Sequence, residues 1–184
     1  MGYDRTFKGK FKLNKCLTVA DYTYLFKFSE TRHMARNVGV EYGVQGEWYI
    51  NEKFDHDEDN PNVLDCNHPP KTQPSLWCGW VPTKDRKYIH WNGMEKFHDF
   101  DKWLKYLLQN WLIPRGYTLS GTVAIQGEDP SDKGSLEAAD DGTVTMSTSE
   151  EVSLDEGDDS DDPPPKKIEP EMIVLKPRKI RLDP

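Results

Sequence analysis

Four groups of side chains in this sequence are of a type that could do chemistry. The first is Cys66, His68, Cys78 and His90. Thiolate and imidazole are zinc ligands, and four of them would close a tetrahedral site. The spacing argues against it, because there is no Cys-x-x-Cys knuckle and Cys78 and His90 fall in strand-like runs. Buried cysteine in a strand commonly serves as a small hydrophobe. No metal and no cofactor are therefore expected. Cys78 could also act as a nucleophile with His90 or His98 as base, but only geometry can select such a pair. The second group is Glu128, Asp129 and Asp132, on one turn between Gly127 and Gly134. Three carboxylates there could hold a hard cation, do acid–base work or face a basic partner. The favoured alternative is a solvated turn whose aspartates bond local amides. The third is Arg32, His33 and Arg36, an anion or partner site unless it is merely the cationic end of a helix. The fourth is Trp77, Trp80 and Trp91 with Tyr88, on neighbouring expected strands. Most should be core; any left exposed would form a hot-spot surface for a partner. Asp55, Asp57, Glu58 and Asp59 around His56 lack the Asp-x-Asp-x-Asp-Gly pattern of a calcium loop and read as a solvated acidic loop. No Gly-x-Ser-x-Gly elbow and no phosphate-cradling glycine loop occur.

The elements that must position these groups follow from periodicity. Thr6 to Leu13 alternates, with Phe7, Phe11 and Leu13 on one side and Lys8, Lys10 and Lys12 on the other. That is a half-buried strand with a lysine face, read as a protected edge. Thr18-Val19-Ala20-Asp21 is a capping signal, and the spacing predicts a helix over 19–32. Residues 37–75 show little period and form an irregular insertion, with one short strand expected at 47–50. Paired strands are expected at 76–82 and 87–92 around a tip at Lys84-Asp85-Arg86. Phe100, Trp103, Leu104, Leu107, Leu108 and Trp111 recur on one helical face. Asp99 or Asp101 should cap that helix, and Gly116 should end it. Strands then flank the acidic turn and the Asp141-Gly142 hairpin. The expectation is an α+β domain over 1–146, with a mainly antiparallel sheet covered by two helices.

The bulk numbers set limits. A chain of 184 residues suits one domain with appendages. Its net charge of -8 disfavours nucleic-acid phosphates and anionic membranes as partners. No apolar run reaches membrane-spanning length. Three cysteines make no full disulfide framework, and the sequence shows no charged-then-apolar leader, so a reducing cytoplasm is expected. Residues 147–184 break sharply from the rest. Acids without any basic residue fill 150–162, prolines follow, and Met172 to Leu175 sits among Lys and Arg. Charge and lack of apolar groups predict disorder there. The acidic run could shield the lysine face, and the apolar end could dock as a strand.

Several motifs together resemble a known group of proteins. They are Glu30-Thr31-Arg32-His33-Met34, Gln73-Pro74-x-Leu76-Trp77-Cys78-x-Trp80, Ile89-x-Trp91-Asn92-Gly93 and Gly116-Tyr117-x-Leu119-x-Gly121-x-Val123-x-x-Gln126-Gly127-Glu128-Asp129-Pro130. They look like a family of small uncharacterised proteins of tailed bacteriophages and actinobacteria. The resemblance spans about residues 1–146 and implies no activity. The function expected is a non-catalytic phage-type accessory protein that binds a host or viral protein. The alternative is a small-ligand module, nucleotide-binding or hydrolytic, using Arg32, His33 and Arg36 opposite Glu128, Asp129 and Asp132.

Overall fold

The computed structural model describes residues 3–51 and 58–148. Strand β1 (Arg5–Gly9) runs into β2 (Phe11–Leu13), and helix α1 (Val19–Glu30) follows. A two-residue strand, β3 (Ala35–Arg36), opens the segment that contains β4 (Val63–Asp65). Then come β5 (Trp80–Pro82), β6 (Tyr88–Trp91) and helix α2 (Phe100–Leu107). The chain closes with β7 (Leu119–Gly127), β8 (Lys133–Ala138) and β9 (Val144–Thr148).

The main sheet has the order β5-β6-β2-β7-β8-β9, with β1 beside β7, and every pairing is antiparallel. This is the α+β arrangement anticipated, since inward alternation on each strand needs a helical layer to bury it. Phe7, Phe11 and Leu13 do point inward, and Lys8, Lys10 and Lys12 are exposed. The lysine strand is nevertheless not simply an edge. β2 lies between β6 and β7, and of these two lysine-bearing strands only β1 lacks a second neighbour among the described residues. Lysine alternation reports a solvated face, and such a face belongs to central strands of a one-sided sheet as well. Gly9 opposite Val123 and Lys12 opposite Ser120 are three residues apart on both strands, so no residue is inserted where the ladder bends. The bend sits on Gly9 (φ +113°) and Gly121 (φ +125°), in backbone that side chains rarely adopt. A Cβ on Gly9 would also come within 2.9 Å of the Thr122 carbonyl oxygen.

Helix α1 starts as its sequence implies, with Thr18 Oγ1 accepting the Asp21 amide at 3.1 Å. It ends at Glu30, so Arg32, His33 and Arg36 lie beyond it and are not its last turn. Asp99 begins α2 with φ +54° and makes no capping bond; its carboxylate receives Lys102 Nζ at 2.6 Å. The helical face from Phe100 to Trp111 is buried, but the helix changes pitch. After Leu107 it widens into a π turn over 108–112 and tightens over 113–115 before Gly116 (φ +74°). Pro114 can supply no N–H to the carbonyl four residues back and crowds it, which widens the preceding turn.

The inward faces of the sheet and both helices share one core. Phe7 packs against Phe100 (5.0 Å between centroids), Trp91 (5.3 Å) and Trp80 (5.7 Å). The indole nitrogens of two buried tryptophans are satisfied: Trp80 Nε1 donates to the Phe100 carbonyl at 2.8 Å, and Trp103 Nε1 to Ser75 Oγ at 2.7 Å. Each fully buried Leu or Phe contributes about 2 kcal/mol of hydrophobic stabilisation.

Two expectations need correcting. Residues 47–50 form no strand; tight 3-10 turns at Val40–Tyr42 and Val44–Gly46 precede them instead. The irregular 37–75 segment is tied to its surroundings by the pairing of β4 with β3 and by Trp48, which stacks on Tyr106 at 5.4 Å. The strand expected over 76–82 begins only at Trp80. The Leu76 carbonyl accepts the His33 amide at 2.8 Å, which holds the chain before Trp80 off the sheet. The acidic loop around His56 falls partly, and the acidic tail almost wholly, outside the described residues.

Candidate functional site

A cleft of about 210 Å³ lies between two loops. One wall is Ser75, Leu76 and Trp77; the other is Met94, Lys96, Phe97 and His98. Local chemistry builds both. Asn92 Oδ1 accepts the Met94 amide at 3.0 Å, and Gly93 takes φ +84°, so the chain turns sharply after β6. Trp91 Nε1 donates to the Met94 carbonyl at 3.2 Å and braces the turn from below. Phe97 is buried against Gly79, where a Cβ would come within 2.8 Å of its ring. Lys96 holds φ +55° without being glycine, a conformation kept only where the surroundings impose it. The first wall is tied down by the bonds of Ser75 to Trp103 and of Leu76 to His33. Trp77 is half-exposed, and Lys96 and His98 stand exposed at the rim. The result is an apolar slot with Lys96 and His98 at its mouth.

The sequence-derived candidates are placed elsewhere, apart from Trp77 and His98. Arg32 donates to Glu58 Oε1 at 2.7 Å and to the Cys66 carbonyl at 2.9 Å. His33 is buried between Phe28 (4.2 Å) and Trp103 (5.0 Å). Desolvation, opposed by a bond to the Phe28 backbone, lowers its pKa to about 3. Arg36 is buried with its guanidinium 4.3 Å over the Tyr49 ring. These three side chains are neighbours in sequence, yet each is directed to its own structural partner.

The acidic turn is likewise engaged. Glu128 Oε1 accepts the Asp4 amide at 2.8 Å, and Arg5 donates to Asp132 Oδ2 at 3.4 Å. Asp129 accepts from the Ser131 amide and hydroxyl, which hold its carboxyl below the usual range. Asp129 thus bonds local groups, while Glu128 and Asp132 fasten the start of β1 to the end of β7. Trp80 is core and Trp91 is half-buried against Phe7.

Cys66, His68, Cys78 and His90 do not gather. Among the described residues no group of three or more His, Cys, Asp or Glu is placed to hold a metal ion. Cys78 is fully buried, and burial pushes its thiol up to about 12. A thiol so protonated is a poor nucleophile. His68 bonds Asp65 at 2.8 Å on the surface, while His90 is half-buried with its pKa lowered by desolvation.

Sequence reasoning missed two things. Met94, Lys96, Phe97 and His98 have no common period; only the Asn92-Gly93 turn hinted that they would face Trp77. Glu47 was also overlooked. Its carboxylate accepts from Tyr106 Oη at 2.8 Å, from the Thr72 hydroxyl and from the Val44 amide at 3.2 Å. No local pattern links those residues. Burial and that carboxylate raise the Tyr106 phenol well above its ordinary pKa.

Comparison with protein-family models, with curated proteins and with solved structures found no match. Among the described residues no helix is long and apolar enough to cross a membrane.

Proposed function

We propose that the protein is a non-catalytic accessory protein of phage type that binds a host or viral protein in the host cytoplasm. The observation that carries this reading is the Trp77–Met94–Phe97 cleft. Aromatic and methionine side chains in a small desolvated slot are the composition of an interaction hot spot. The cleft, at about 210 Å³, is smaller than the roughly 300–1,000 Å³ of most small-molecule sites. It has room for one or two side chains of a peptide. Lys96 and His98 at the mouth suit a carboxylate beside the inserted apolar group. The ligand-module alternative draws no such support, since neither the Arg32–His33–Arg36 set nor the Glu128–Asp129–Asp132 set lines the cleft.

The test is capture from host lysate with wild-type protein and with Trp77→Ala, followed by titration of the captured partner. Loss of a hot-spot residue costs 2 kcal/mol or more, about 30-fold in Kd. Lys96→Glu should weaken binding through the on-rate. Equal affinity of Trp77→Ala and wild type would sink the reading.

A further inference from the structure

Strand β9 is the last strand of the sheet order, and among the described residues nothing pairs with its outer edge. Its register against β8 is unbroken from Ala138↔Val144 to Gly134↔Thr148. The Ala139 amide donates to the Thr143 carbonyl at 2.9 Å, so Thr143, Thr145 and Ser147 turn their backbone groups toward β8. By the same alternation Val144, Met146 and Thr148 aim N–H and C=O outward. Natural edges are usually blunted by lysine, proline or a bulge. Val144–Thr148 contains no charged residue and no proline, and no bulge interrupts it.

The core face beside this edge is also incomplete. Met146 lies on the same sheet face as its buried partner Leu136, yet is 46% exposed. Ile113, 41% exposed, reaches the β8–β9 turn, close enough that a Cβ on Gly142 would stand 2.8 Å from its Cδ1. An additional strand would bury both and satisfy the outward backbone groups together.

We infer that the free edge of β9 is a strand-addition site filled by the chain's own segment Met172-Ile173-Val174-Leu175. This goes beyond the cleft reading and does not depend on it. The segment is apolar with two β-branched residues, and Pro170 and Pro177 bracket it. Both features suit a short edge strand. About 23 residues separate it from β9, and a tether of that length averages about 26 Å end to end if it behaves as a random coil. The edge itself is about 17 Å long. A tether matched to its span gives an effective concentration in the millimolar range. A second copy at ordinary micromolar concentration competes poorly against that. The acidic run Glu150 to Asp162, which follows the edge directly, also repels another copy carrying the same run.

The test is amide hydrogen exchange on the full chain, with Val174→Pro as the variant because proline removes a ladder donor. Ile180→Pro, outside the segment, is the control. Expected in the wild type and the control is at least 100-fold protection of the Val144 and Met146 amides. Val174→Pro should abolish it and leave Thr145 and Ser147 unchanged. Outward amides that exchange freely in the wild type would overturn the inference. So would equal protection in Val174→Pro, or protection that grows with protein concentration, which would mark a second copy as the occupant.

Discussion

His33 shows how burial converts an ordinary side chain into a pH liability. Its native pKa near 3 lies below the unfolded value of about 6.5. The unfolded chain therefore binds the extra proton between those values, and stability falls as pH drops below about 6.5. From pH 7 to pH 5 this one group should cost about 2 kcal/mol. Urea unfolding at the two pH values should show that loss, and His33→Phe should reduce it. Cysteine reactivity should follow burial as closely. Cys16 is exposed and Cys78 is buried with a raised pKa. Iodoacetamide should label Cys16 in the native protein and reach Cys78 only after unfolding. Rapid native labelling of Cys78 would mean that the core around Trp80 opens readily.

Among the elements, the bent ladder between β1–β2 and β7 governs the sheet. It lets Phe7 and Leu13, on the two sides of the bend, stay in one core. Gly9→Ala would put a side chain at φ +113° and press it on the Thr122 carbonyl. A loss of about 1–3 kcal/mol is expected from that strained backbone position, read as a lower denaturation midpoint with an unchanged m-value. A mid-strand glycine with no such constraint would instead gain stability on change to alanine. The irregular segment before β5 is an element in its own right. Glu47 ties it to α2 through Tyr106, and Tyr24 Oη donates to the Trp48 carbonyl at 2.8 Å. Its backbone groups need partners as any buried backbone does. It finds them in turn bonds such as the Trp48 amide to the Tyr42 carbonyl (2.9 Å), in the short β3–β4 pair and in side chains.

At the scale of the whole molecule, every buried-core residue among the described residues lies at or before Val144. A chain ending at Thr148 should keep a single cooperative thermal transition, because β1 to β9 and both helices lie at or before that residue and an added edge strand would cover only Met146 and Ile113. Calorimetry should show a Tm lowered by only a few degrees. A broadened or absent transition would show that residues after 148 belong to the core. The two surfaces proposed for binding are separate in construction. The cleft is made by loops at the β5–β6 side, whereas the strand-addition edge is β9, at the other end of the sheet.

Much of this architecture is legible from short stretches of sequence. The alternation of Phe7, Phe11 and Leu13, the Thr18 cap, the α2 face and the Asp141-Gly142 turn all appear where their local chemistry places them. One-sided burial imposes a period of 2 or 3.6, and turns need particular backbone angles, so neighbouring residues carry these signals. Pairings between distant segments leave no such mark. Nothing near Arg5 announces Gly127 as its partner, and nothing near Lys12 announces that Tyr88 flanks it on one side and Ser120 on the other. The clusters read from sequence proximity dispersed for the same reason. Arg32, His33 and Arg36 point to partners supplied by Glu58, Trp103 and Tyr49, chosen by packing rather than by adjacency. The cleft arose where Met94 and Phe97 met Trp77 across two loops, a contact that only the assembled core could create.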